Sequence, residues 1–165
     1  MLRGRKFLIS IICFSIFASS ISSYAEEEIK KCSYAEEIED LIDIAQSKNK
    51  IIAIIEGRKT ITSDLRSNEK VLWSGSNGYL GAFLTDLRFF VISTSLDAWQ
   101  ALALRSDESG KGVASLSAYI ALLVTRDRAI GFDATSNRFI ETRFPIQDEL
   151  LAAEAEKCVA VVITS

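Results

Sequence analysis

The stretch Ala118-Tyr-Ile-Ala-Leu-Leu-Val-Thr125-Arg-Asp-Arg128-Ala-Ile-Gly-Phe132-Asp-Ala-Thr-Ser-Asn-Arg-Phe139-Ile-Glu-Thr-Arg-Phe144 decides how the rest of the chain is read. Leu122 to Thr125 is a short apolar run rich in β-formers. Arg126-Asp127 is a two-residue step, and Arg128 opens a second run to Phe132. Runs that close together leave room only for a hairpin. Ala134-Thr-Ser-Asn is turn chemistry, because Asn, Ser and Thr oxygens bond their own backbone. Arg138 to Phe144 then alternates apolar and polar residues, as a half-buried strand does.

The pattern recurs. A slide of 40 residues lays Thr85 on Thr125, Arg88 on Arg128, Ile92 on Phe132, Trp99 on Phe139 and Leu104 on Phe144. A slide of 29 lays Ile54 to Lys59 on Phe83 to Arg88, giving an earlier copy that lacks the loop and strand around Trp99. The final Val161-Val-Ile-Thr164 lies on Leu122 to Thr125 and begins a further copy. Within these copies, Gly75 to Gly78 reads as a turn and Ser106 to Gly112 as a surface loop. About four strands in about 40 residues is the signature of a propeller blade. The expected fold is therefore mainly β: antiparallel, propeller-blade-like repeats with one N-terminal helix. An antiparallel β-sandwich is the alternative. Closure of a ring needs about four blades. The copies here predict a chain truncated at its C-terminus, an assembly of several chains, or a sheet left open at Val159 to Thr164.

Met1 to Lys6 carries Arg3, Arg5 and Lys6, and Phe7 to Ala18 is an apolar core. Small residues at Ser23 and Ala25 then suit a cleavage site. That is the form of a secretory signal peptide, residues 1–25. The apolar run is shorter than the roughly 20 residues of a membrane span, so no stable membrane insertion is expected after cleavage. The expected location is periplasmic or secreted. With the leader gone, 19 basic residues fall to 16 against 22 acidic, a net charge of −6. Nucleic acid, which needs a basic face, is not an expected partner.

Residues 26–50 read as an N-terminal segment with a helix over about 33–47. Ser33 and Glu36 form a capping box, and Ile38, Leu41, Ile42 and Ala45 recur at helical spacing. Residues 51–165 form the β-repeat domain. Cleavage removes Cys13 and leaves Cys32 and Cys158. Two cysteines in an exported chain are expected to pair. In the chain-entropy model such a bond contributes about 4–5 kcal/mol.

The chain has no His, which removes the usual Ser-His-Asp and Cys-His nucleophiles. Gly75-Ser-Asn-Gly78-Tyr-Leu-Gly81 lacks the Lys and the helix of a phosphate loop. Carboxylate pairs such as Asp107/Glu108 and Asp148/Glu149 read as solvated turn acids. No metal, cofactor or catalytic residue is expected. The recurrent cations Lys59, Arg88 and Arg128, with Glu69, Glu108 and Asp148, read as one charge pair per copy; a cation ring for an anionic ligand is the alternative. The aromatics Trp73, Tyr79, Phe90, Trp99, Tyr119, Phe132, Phe139 and Phe144 read as inter-sheet core; the alternative is a ligand-stacking role for Trp99, which stands beside a turn.

Written as Val-Thr-Arg-Asp-Arg-Ala-Ile-Gly-Phe, the repeat resembles that of exported bacterial propeller-like proteins of unknown function, whose hairpins read Leu-Thr-Asp-Arg-Arg-Ala-Leu-Gly-Phe. Thr125 to Phe132 carries the resemblance, and Thr85 to Ile92 carries it more loosely. It covers about Ile51 to Ser165 and implies no known activity. The expected role is an exported structural or protein-interaction module, not an enzyme. Its partner is an unknown protein or a second copy of itself. A periplasmic small-ligand or glycan-binding protein is the alternative.

Overall fold

A computed structural model describes residues 8–10, 39–57, 60–110, 112–145 and 149–165. Among them every regular element is a strand: β1 (Leu8–Ser10), β2 (Ile42–Ser47), β3 (Lys50–Ile55), β4 (Thr60–Asp64), β5 (Val71–Asn77), β6 (Leu80–Thr85), β7 (Arg88–Ser93), β8 (Gln100–Ala103), β9 (Val113–Leu116), β10 (Ile120–Val124), β11 (Arg128–Asp133), β12 (Arg138–Arg143), β13 (Leu150–Glu156) and β14 (Val159–Thr164). They form four antiparallel sheets, ordered β2-β3-β4, β5-β6-β7-β8, β9-β10-β11-β12 and β13-β14-β1. These are called the first to fourth sheets below.

The predicted helix is not borne out in the part that is described. Its C-terminal half, Ile42–Ser47, is strand β2, paired with β3 from Ile42↔Ile55 to Ser47↔Lys50. The apolar residues Leu41, Ile42 and Ala45 fit a helical stripe, but Ile42 and Ile44 also fit a strand face. Burial on the second sheet decides between them, as tertiary context commonly overrides local preference. The N-terminal half of that segment lies outside the described residues. The sheets therefore begin at Ile42, ahead of the Ile51 boundary. Likewise Gly75 to Asn77 continue β5, and the turn falls at Gly78-Tyr79.

The sheets stack face to face, each with the same sense. β6, β7, β10 and β11 are buried on both faces, which is why their sequences are continuous apolar runs and not alternating ones. Leu80, Ala82, Leu84, Phe89 and Val91 of the second sheet meet Ala121, Leu123, Ile130 and Phe132 of the third. Ile120, Leu122, Val124 and Ala129 on the other side of the third sheet meet Ala155, Ala160 and Val162 of the fourth. Phe83, Phe90 and Ile92 cover the first sheet at Ile42, Ile51, Ala53 and Ile55. Each sheet thus has a back face toward its predecessor and a forward face toward its successor. β2, β5, β9 and β13 lie side by side along one margin of the stack. β4, β8 and β12 form the other margin.

Backbone bonds fix which positions correspond. The amides of Leu65, Leu104 and Phe144 donate to the carbonyls of Asn49, Leu87 and Asp127. The amides of Glu56, Thr94 and Ala134 donate to those of Leu41, Tyr79 and Tyr119. Hence β2, β6 and β10 are equivalent, as are β3, β7 and β11. This corrects the slide of 29: the first copy is aligned by a slide of 38, with Ser47 at the place of Thr85 and Lys50 at the place of Arg88. The first copy keeps its outer strand, β4, and it is the strand before β2 that has no counterpart among the described residues.

At the fourth sheet, β14 pairs with β13 on one side and with Leu8–Ser10 on the other, from Leu8↔Thr164 to Ser10↔Val162. The edge expected to stand open therefore carries a short third strand, Leu8–Ser10.

Candidate functional site

Two polar clusters are built into the stack, and each is made by three pieces of chain. In the first, Arg66-Ser-Asn-Glu69 turns the chain from β4 toward β5. The Glu69 amide bonds the Arg66 carbonyl at 3.1 Å, and the Arg66 amide donates to Glu69 Oε2 at 2.8 Å. This turn aims the carboxylate at the β6–β7 hairpin. There Arg88 Nε and Nη2 donate to Glu69 Oε1 and Oε2 at 3.0 and 2.5 Å, a two-pronged pair. Thr85 Oγ1 donates to Glu69 Oε1 at 2.7 Å and accepts from the Arg88 amide at 2.7 Å. The Arg88 guanidinium also lies 4.3 Å from the centre of the Phe90 ring, a cation–π contact.

The second cluster repeats the first. Arg105-Ser-Asp-Glu108 turns the chain out of β8, with the Arg105 amide donating to Glu108 Oε2 at 2.7 Å. Arg128 Nε and Nη2 donate to Glu108 Oε1 and Oε2 at 2.5 and 2.6 Å, and Thr125 Oγ1 to Glu108 Oε1 at 3.0 Å. Arg128 Nη1 additionally holds Glu141 on β12 at 2.7 Å. Arg105 itself reaches Asp127 in the β10–β11 turn at 2.8 Å. Glu108 is only 2% exposed, so its reading as a solvated turn acid is corrected, whereas Asp107 beside it is exposed.

Burial alone pushes both carboxyls up. The hydrogen bonds from the guanidinium, the threonine and the turn amide, with the positive charge beside them, outweigh it and hold Glu69 and Glu108 at about 2. Hydrogen bonding to Glu108 pushes Arg128 up, against its own burial. The carboxylates of Glu69 and Glu108 are held from both the turn and the hairpin, so the arrangement is a clamp between an inter-sheet turn and the next hairpin.

The remaining expected site residues fall elsewhere. Lys59 and Asp148 lie outside the described residues. The position equivalent to Arg88 in the first sheet is Lys50, which makes an exposed pair with Asp64 at 3.5 Å. Trp99 packs between the first and second sheets, its ring 5.5 Å from Phe83 and 6.4 Å from Phe90. Its Nε1 donates to the Ile61 carbonyl at 3.4 Å. Both ring neighbours and the indole N–H are thus core contacts, and the side chain is half-buried. Cys158 sits half-buried in the β13–β14 turn; Cys32, its expected partner, lies outside the described residues. Among the described residues no group of His, Cys, Asp or Glu could hold a metal ion.

The turn acids were half legible in the sequence. Arg66-Ser-Asn-Glu69 and Arg105-Ser-Asp-Glu108 are nearly the same four residues one period apart, and that match identifies the clamp turn more sharply than the acids alone. No protein-family model matches the chain, and no curated protein matches it either.

Proposed function

We propose that the chain is an exported structural or protein-interaction module built from propeller-like β-repeats, of the bacterial kind its hairpins resemble. The observation that carries this reading is the fate of the polar groups. The recurrent Thr, Arg and Glu side chains are consumed in clamps that order one sheet against the next, while apolar side chains remain uncovered on the outer faces of the two end sheets. The same sense of stacking and the alignment of β2, β5, β9 and β13 along one margin support propeller-like geometry. The leader-like residues 1–25 support export.

A photo-crosslinking residue at Val159, with the exposed Ser136 as control, tests the reading in the cells that make the protein. The expected result is a protein-sized adduct at Val159 in the exported fraction and none at Ser136. Retention of the uncut chain in the cytoplasm, or no adduct at either position, overturns it.

A further inference from the structure

The two end faces of the stack carry the two halves of a joint that the molecule already makes inside itself. In β6 the forward row Leu80, Ala82 and Leu84 is buried by the third sheet; in β10 the forward row Ile120, Leu122 and Val124 is buried by the fourth. The equivalent row of β14 is Val159, Val161 and Ile163, placed by the two-residue turns Gly78-Tyr79, Ala118-Tyr119 and Lys157-Cys158 that precede each strand. Among the described residues no sheet lies on it: Val159 is 41% exposed, and Val161 and Ile163 are half-buried.

At the opposite end, among the described residues, no sheet lies on the back row. In β7 that row is Phe90 and Ile92, and in β11 it is Ile130 and Phe132, all at most 1% exposed because a preceding sheet lies on them. Its counterpart in β3 is Ile52 and Ile54, beside Ala45 of β2. Ile54 is 49% exposed, and Ala45 is exposed too. A strand face of this composition loses free energy in proportion to the apolar area left in water.

We infer that a second copy of this chain covers these faces, the forward face of the fourth sheet in one copy seating the back face of the first sheet in the next. The inference rests on the interaction-module reading and names the partner. What selects a second copy is the continuity of the joint. A forward row with this spacing is covered inside the molecule each time by the back row of a β-repeat, and among the described residues each copy presents one such row with no sheet on it. The contact is head to tail, with two different patches. It closes into a ring if the rotation allows and otherwise grows as an open stack.

Sedimentation velocity on the exported chain, as purified from its own cells, tests this with two variants, Ile54→Glu and Val159→Glu. Circular dichroism melts establish that each variant folds. Wild type is expected at twice the monomer mass or at larger multiples, and each variant alone at the monomer mass. An equimolar mixture of the two is expected to regain a dimer, because one intact joint remains between them. A monomeric wild type overturns the inference. So does association that persists in either variant, or a mixture that stays monomeric, which marks a symmetric contact in place of a head-to-tail one. A variant that fails to melt cooperatively is replaced by Ile52→Glu or Val161→Glu, read in the same way. An adduct at Val159 with a different protein sinks this inference and leaves the interaction reading standing; no adduct at all sinks both.

Discussion

At the scale of single residues the clamps dominate. Glu69 and Glu108 are held at about 2, against an ordinary value of 4.5. A depressed carboxyl contributes stability that is fully present above the ordinary value and is lost as pH falls toward the depressed one. The stability of the stack is therefore expected to be flat from neutral pH down to about pH 5, then to fall between 4.5 and 2. Urea midpoints measured at pH 7 and pH 3 check this; equal midpoints contradict it. Removing one partner of a buried pair costs about 3–5 kcal/mol, because the other charge is left uncompensated. Glu108→Gln is expected near that figure and Glu69→Gln below it, since the Arg88 side chain is 16% exposed and that of Arg128 only 5%. Denaturant titration of the two variants ranks them. Glu108→Gln is also expected to flatten the acid limb of the wild-type curve.

At the scale of elements, what could be read in the sequence and what could not have separate physical causes. The hairpins β6–β7 and β10–β11 were legible because each run is apolar throughout and their turns are two residues long. β2 was not legible, since Leu41, Ile42 and Ala45 satisfy a 3.6 period as well as Ile42 and Ile44 satisfy a period of two. Only the pairing with β3 and burial against β7 select the strand. The first copy was misaligned for a related reason. Ile54-Ile-Glu-Gly57 looks like Phe83-Leu-Thr-Asp86 locally, but the register is held by backbone bonds from Leu65 and Glu56 that have no side-chain signature. The clamp cations Arg88 and Arg128 were visible through their repetition. Their partners' burial was not, because a turn acid looks solvated until the hairpin folds over it. One close approach is also expected to be intolerant. A Cβ on Gly81 of β6 would lie 2.7 Å from Ile44 Cγ2 and 3.1 Å from Ile42 Cγ2, so the first and second sheets meet there without space for a side chain. Gly81→Val is expected to destabilise the stack through overpacking, by about 1–3 kcal/mol, and so to lower the thermal midpoint. A midpoint equal to that of wild type would show that the sheets can separate at this point without loss.

At the scale of the whole molecule, the main contacts among the described residues run between neighbouring sheets of the stack, so stability is expected to be close to a sum of sheets and joints. The charge of −6 on residues 26–165 belongs to this scale as well, where it favours solubility of a body with two apolar ends. β1 adds a further term. Leu8–Ser10 lies along β14, so the chain 1–165 is expected to protect the amides of Val162 and Thr164 from hydrogen exchange more than a chain that begins at Glu26. Exchange measured on the two forms checks this, and equal protection would remove β1 from the account.

Identical joints also make the molecule a set of interchangeable couplings. Thr85 and Thr125 occupy the same place in successive sheets, each with its Arg three residues on. Excising Asp86 to Thr125 therefore joins β6 directly to β11 and leaves Glu69, Thr85 and Arg128 to form a hybrid clamp. The shortened chain is expected to fold cooperatively with one sheet fewer, which a melt and a β-type circular dichroism spectrum would register. The same cut moved by half a period should give no folded product. A gene that lengthens or shortens by this unit changes the length of the stack without redesigning any joint, so that length becomes heritable and is set by copy number alone.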